Sequence, residues 1–154
     1  MKLLIIEDDR NKERHLTNLL ASELPDADLR ARRSYQSGLA EAEDWLPDLI
    51  VLDMSMPTYD ITPTESGEPS LPFGGEDILR EIDRKELTSK VVIVTQYDTF
   101  GTKDNLVTLD QLKQRLAANY VRNYAGTVFY HPAQTGWKNE LLTILIQIRN
   151  SQGK

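Results

Sequence analysis

Pro47-Asp-Leu-Ile-Val-Leu-Asp53-Met-Ser-Met-Pro57 is the stretch that decides how the rest of the chain is read. Leu49 to Leu52 is an unbroken apolar run, too short for a helix and apolar on both alternating faces. That is the pattern of a strand covered from two sides. The run stops on a carboxylate, Asp53, and Pro57 prevents the strand from resuming. Working outward, the same construction recurs. Leu3 to Ile6 is a second apolar run and stops on Glu7, Asp8 and Asp9. Val91 to Val94 is a third and stops on Thr95. Thr127 to Tyr130 is a fourth, followed by His131 and Pro132, and Ala27 to Arg33 alternates weakly as a fifth.

Between these runs the period changes to that of a helix. Leu16, Leu19, Leu20 and Leu24 lie on one face of Asn11 to Leu24, and Pro25 stops it. Tyr35 to Trp45, Glu76 to Leu87, Val107 to Tyr124 and Gly136 to Asn150 repeat the pattern. Five strands alternating with five helices predict an α/β, doubly wound sandwich around a five-stranded parallel sheet. In such sheets ligands bind beyond the carboxyl ends of the strands. The residues to inspect are therefore Glu7, Asp8, Asp9, Asp53, Thr95 and His131.

Composition narrows the function. The chain has 154 residues, the size of one domain, with 18 Lys and Arg against 24 Asp and Glu. The net charge of −6 is a poor footprint for nucleic acid or an anionic membrane. There is no Cys, which excludes a disulfide scaffold, a thiol nucleophile and a Cys-ligated metal. No apolar run is long enough to span a membrane, and the start of the chain does not read as a signal peptide. The expected location is the cytoplasm.

If the topology holds, Glu7, Asp8 and Asp53 converge. Like charges this close raise one another's pKa unless a cation sits among them. Oxygen-only ligands suit a hard cation, Mg²⁺ before Ca²⁺. A carboxylate at such a site can also act as a nucleophile toward phosphorus. The plain alternative is that these acids are solvated, or cap the next helix, as Asp9 would.

At this point the chain resembles a response-regulator receiver domain of two-component signalling, CheY-like in its single domain. The residues that carry the resemblance are Leu-Ile-Ile-Glu-Asp-Asp at 4–9, the run at 47–57, Val-Val-Ile-Val-Thr at 91–95, and His131-Pro132. The resemblance implies a flavodoxin-like (βα)5 fold over residues 1–150, with a short tail at 151–154. It implies that Asp53 accepts a phosphoryl group. Asp8, Asp53 and the main-chain carbonyl of Ser55 would hold Mg²⁺, with Glu7 acting through a water. Thr95 would offer its hydroxyl to a phosphoryl oxygen. The partners implied are a sensor histidine kinase or phosphotransfer protein and a downstream protein, with homodimerisation left open.

The sequence departs from the family pattern in three places. Receivers carry a Lys before the Pro that follows the fifth strand, and His131 stands there. An imidazole is shorter than a Lys and titrates near neutrality. His131 either replaces the Lys in part or is a rim residue without a role, and Lys103 is another candidate for the missing charge. The aromatic residue three positions earlier is replaced by Val128, with Phe129 and Tyr130 following. The segment 57–75, after Asp53, is longer than the short loop of the family; it and the long polar segment 96–106 read as lids, partner surfaces or tolerated insertions.

Three readings of function compete. One is a stand-alone receiver that accepts and passes on a phosphoryl group. The second is a pseudo-receiver that binds partners without phosphorylation. The third, an aspartate-nucleophile phosphatase, wants a second Asp two residues after the nucleophile, where Ser55 stands. No enzymatic turnover beyond self-phosphorylation and self-dephosphorylation is expected. His15 reads as a surface residue, Trp45 and Trp137 as core, and Lys85, Lys90 and Arg30 to Arg33 as solvated. Gly74-Gly75 reads as a turn into a helix.

Overall fold

The computed structural model describes residues 1–60 and 71–152. The chain alternates β1 (Lys2–Ile6), α1 (Arg10–Glu23), β2 (Asp28–Arg32), α2 (Tyr35–Trp45), β3 (Leu49–Leu52) and α3 (Gly74–Arg84). It continues through β4 (Lys90–Thr95), β5 (Thr99–Phe100), β6 (Val107–Thr108), α4 (Leu109–Asn119), β7 (Tyr124–Phe129) and α5 (Gly136–Gln152). Five strands form one parallel sheet in the order β2-β1-β3-β4-β7. The expected flavodoxin-like sandwich is what the chain forms. Among the described residues no helix is long and apolar enough to cross a membrane.

The apolar runs are continuous because both faces of the central strands are covered. Leu4, Ile6, Ile50, Leu52, Val91 and Ile93 point to one side, under α2, α3 and α4. Leu3, Ile5, Leu49, Val51, Val92 and Val94 point to the other, under α1 and α5. The strand order reverses between β1 and β3, and a crevice opens there beyond their carboxyl ends. The two strands are still linked at that point, where the Asp53 amide donates to the Ile6 carbonyl at 3.4 Å.

Three expectations need correction. The helix expected over 107–124 is shorter at both ends: Val107 and Thr108 form β6, Thr108 caps the helix, and the helix ends at Asn119 with Tyr120 as its C-cap. The Asn123 side chain is fully buried and donates to the carbonyls of Leu87 (2.8 Å) and Ser89 (2.9 Å), tying the turn to the start of β4. The last strand accordingly begins at Tyr124, with a bulge opposite Val91/Val92. The expected tail is helical through Gln152, with Gly153 and Lys154 outside the described residues.

Both long segments are anchored at their bases. The segment 96–106 holds β5 and the turn of a hairpin that β6 closes at Val107–Thr108, and Phe100 drops into the core beneath α3 and α4. Gly101 takes φ +99° in its turn, a conformation that favours glycine. The segment after Asp53 is closed by an antiparallel bridge between Met56 and Leu71. The carbonyls of Pro57 and Thr58 accept from the first amides of α2, Tyr35 and Gln36. The expected loop 57–75 runs on through 61–70, which lie outside the described residues, and α3 already begins at Gly74.

Candidate functional site

Glu7 follows β1 and Asp53 follows β3, so the strand pairing alone brings their side chains to one crevice. Both are nearly inaccessible, 2% and 5% exposed. Asp8 follows Glu7 and is exposed. A cavity of about 120 Å³ opens here, lined by Glu7, Asp8, Asp9, Asp53, Ser55, Tyr97 and their neighbours. The expected convergence of Glu7, Asp8 and Asp53 is what the structure shows, and Ser55 lines the same cavity. Asp9 has a different task. Its Oδ1 accepts from the amides of Asn11 (2.9 Å) and Lys12 (3.0 Å), capping α1.

The residue that sequence reasoning missed is Lys12. It lies in the first turn of α1, 1% exposed, with its ammonium in the carboxylate crevice. Nζ donates to Asp53 Oδ2 at 2.9 Å and to the Val94 carbonyl at 2.6 Å. It also lies 2.6 Å from Glu7 Oε1, at an angle that misses hydrogen-bond geometry, so this contact is an ion pair alone. The signal was in the sequence. Lys12, Leu16 and Leu20 repeat every four residues and are the three buried positions of α1. A lysine on an apolar stripe must find an acceptor or lose its charge.

The electrostatics follow from burial. Burial lifts the Glu7 carboxyl to about 7, with Lys12 pulling it down and Asp53 pushing it further up. Burial also raises Asp8 above the ordinary carboxylate range. Burial depresses the Lys12 ammonium, but Asp53 and Glu7 outweigh it and hold its pKa above the ordinary lysine value. Asp53 Oδ1 accepts the Met54 amide at 2.7 Å, which fixes the carboxylate's orientation.

Two predicted site residues do not join the cluster. Thr95 is fully buried at the end of β4, and its Oγ1 accepts the Tyr97 amide at 3.2 Å, so it does not line the cavity. His131 is exposed beyond β7, its Nδ1 accepting from the Ala133 amide at 3.1 Å, and it is absent from the cavity wall. Lys103 is likewise exposed. Val128 and Tyr130 both face α1 and α5, while Phe129 pairs in register with Thr95 and is 40% exposed. His15 is half-buried rather than a free surface residue, with Nδ1 2.6 Å from the Tyr130 hydroxyl. Trp137 is core and meets the Tyr130 ring edge-on. Trp45 is only half-buried, under the Arg30 guanidinium.

The donor set suits a small hard cation. Three carboxylates face one ammonium, leaving negative charge in excess around the cavity. Among the described residues no three His, Asp or Glu side chains form a metal cage by themselves. Asp8 and Asp53 both line the cavity, and two carboxylates completed by a main-chain carbonyl and waters would be the usual complement for Mg²⁺.

No protein-family model matches the chain. It is 34% identical over 142 residues to the uncharacterized protein y4jR of Sinorhizobium fredii, covering 92% of this chain and 94% of that one. It is 26% identical to the Detocs response regulatory protein DtcB of Enterobacter cloacae, covering 96% of this chain and all of that one. Among solved structures it superposes on a CheY-like response regulator receiver domain protein from Methanospirillum hungatei. The TM-score is 0.65 at 15% identity, covering 99% of this chain and 96% of that one. A single receiver-sized sandwich, a buried aspartate at its switch point and a response regulatory protein aligned end to end lead to one conclusion: the chain has the fold of response-regulator receiver domains and is similar over its length to a response regulatory protein.

Proposed function

We propose that this chain accepts a phosphoryl group on Asp53 from the phosphohistidine of a sensor kinase or phosphotransfer protein, and signals through protein contact. The observation that carries this reading is the placement of Asp53. It is a buried carboxylate at the end of a central strand, oriented by the Met54 amide, with one side on a polar cavity. The similarity to a protein named as a response regulator supports it.

The chemistry asks little of the protein beyond position and charge. An Asp53 oxygen forms a bond to phosphorus. The bond from phosphorus to the donor's imidazole nitrogen breaks, and the electron pair leaves on that nitrogen. Asp8, Asp53 and the Ser55 carbonyl would hold Mg²⁺, with Glu7 reached through a water. Bound there, the ion supplies neutralisation of the phosphoryl oxygens. Thr95 Oγ1 accepts from Tyr97, which leaves its own O–H free to donate to a phosphoryl oxygen after a local shift. A phosphoryl group adds roughly −1.5 to −2 charge and three acceptor oxygens to a crevice rich in carboxylates. That is ample to rearrange the segments at its rim.

The test is intact mass after incubation with acetyl phosphate or phosphoramidate and Mg²⁺. A gain of one phosphoryl group, absent in Asp53→Asn and absent in chelator, is the expected result. Equal labelling of Asp53→Asn would overturn the assignment. No labelling by either small donor or by a kinase would favour a phosphorylation-independent binding module.

A further inference from the structure

We infer that Lys12 on helix α1 is the catalytic cation of this receiver, pairing with the acyl phosphate on Asp53 in the role that the family pattern gives to a lysine after the last strand. The inference rests on the reading of Asp53 as the phosphoacceptor. Its own basis is geometric. Lys12 Nζ is 2.9 Å from Asp53 Oδ2, a carboxylate oxygen of the reacting group. The Val94 carbonyl, 2.6 Å away, fixes the ammonium from the β4 side, and Glu7 Oε1 lies 2.6 Å from it. The side chain is closed off from solvent along its length, so this is a positioned charge and not a surface lysine resting on an acid.

The other candidates for the charge are elsewhere. His131 stands at the position where the family has its lysine, but it is exposed and its Nδ1 is engaged by Ala133. Lys103 is exposed in the turn between β5 and β6. The charge has therefore moved from the loop after the last strand to the helix after the first. It reaches Asp53 from the α1 face of the sheet, the same face on which Val94 and Leu16 pack.

Lys12 exchanges no proton in the reaction. With acetyl phosphate, an Asp53 oxygen bonds to phosphorus, the bond from phosphorus to the acetyl oxygen breaks, and the electron pair departs on acetate. Lys12 stays an ammonium throughout and holds the negative charge that gathers between Asp53 and the phosphoryl oxygens. Preorganised charge of this kind accelerates transfer because it is already in place when charge develops.

Labelling rates of five proteins with acetyl phosphate and Mg²⁺, followed by intact mass, test this: parent, Asp53→Asn, Lys12→Met, Lys12→Arg and His131→Ala. The expected pattern is a labelled parent, unlabelled Asp53→Asn, and Lys12→Met slower by about tenfold or more. Lys12→Arg should recover part of the loss, and His131→Ala should stay within twofold of the parent. A folded Lys12→Met labelled at the parent rate would overturn the inference, as would a tenfold loss in His131→Ala. If Lys12→Met does not fold, Lys12→Met with Glu7→Gln removes both buried charges together. It is compared with Glu7→Gln alone, and equal rates would again overturn the inference. A parent that is never labelled, and that takes up no trifluoroberyllate as a phosphoryl mimic, overturns the phosphoacceptor reading and this inference with it.

Discussion

A Cβ on Gly75 would stand 2.6 Å from the backbone oxygen of Asp53 and 2.7 Å from Leu52 Cδ1. The first turn of α3 is thus packed against the end of β3 at the residue proposed to accept the phosphoryl group. The Gly75 amide donates to the Met54 carbonyl at 2.8 Å and closes the contact. The glycine is present for close approach rather than for a turn, since its φ is not positive.

Gly75→Ala should therefore lift α3 off the end of β3. Overpacking of this kind costs about 1–3 kcal/mol. In a chain of this size that lowers Tm by roughly 2–4 °C for each kcal/mol. The same substitution should slow phosphoryl labelling, because the Asp53 backbone has to move. Thermal unfolding followed by circular dichroism is the check, and an unchanged Tm would show that the backbones can separate freely.

Glu7 gives a pH prediction with a definite sign. Its carboxyl has an ordinary value of 4.5 and is lifted to about 7 by burial. A carboxyl raised on folding favours the folded state only while protonated. Below pH 4.5 both states carry the proton and the ionisation costs nothing. Between about 4.5 and 7 the unfolded chain ionises first, and stability drains away. Above 7 the loss is complete, at about 3 kcal/mol. Glu7→Gln has no such loss. In chelator it should match the parent near pH 4.5 and exceed it progressively up to pH 7. Urea unfolding at a series of pH values measures the difference, and the other carboxylates largely cancel because both proteins share them.

A third prediction concerns the clamp between α3 and α4. Arg115 donates through Nε and Nη2 to the two oxygens of Glu76, at 3.0 and 2.8 Å. The Glu76 side chain is 8% exposed, and the Arg115 guanidinium also lies over the Phe73 ring at 5.0 Å. Arg115→Ala leaves a buried carboxylate without its partner and should cost about 2 kcal/mol. Arg115→Ala with Glu76→Gln should cost less than the sum of the two single changes, by about 1 kcal/mol. Chemical denaturation of the four proteins gives this coupling directly, and strict additivity would mean that the pair does not hold α4 in place.

Much of this molecule could be read before it was seen, for a physical reason. Strands covered on both faces spell themselves out, so Leu3 to Ile6, Leu49 to Leu52 and Val91 to Val94 were legible, and with them Glu7 and Asp53 at their ends. Tyr124 to Phe129 lies at the sheet edge, half-exposed and bulged, and lacks that signature. Its first residue was therefore absorbed into the helix before it. Lys12 was missed for the opposite reason. Lysine is read as solvated by default, and only its place in the stripe with Leu16 and Leu20 marks it as buried. His131 was open to two readings, a partial replacement for the lysine or a rim residue, because a motif aligned along one strand names only the residue in line with it. Three dimensions allow the charge to arrive from a different helix.

Asp8 supplies the last prediction. It lines the cavity beside Asp53, its pKa is raised by burial, and no side chain pairs with it in an ion bridge among the described residues. A cation that binds the folded chain and not the unfolded one stabilises it by mass action. At a Mg²⁺ concentration about ten times its dissociation constant, the gain is roughly 1.4 kcal/mol. Mg²⁺ should therefore raise the Tm of the parent by several degrees in a saturable manner. On the proposed ligand set, with Asp8 direct and Glu7 reached through a water, Asp8→Asn should abolish the shift and Glu7→Gln should weaken it without abolishing it. Equal shifts in parent and Asp8→Asn would place the ion elsewhere. An equal response to Na⁺ at matched ionic strength would reduce it to screening of an acidic surface.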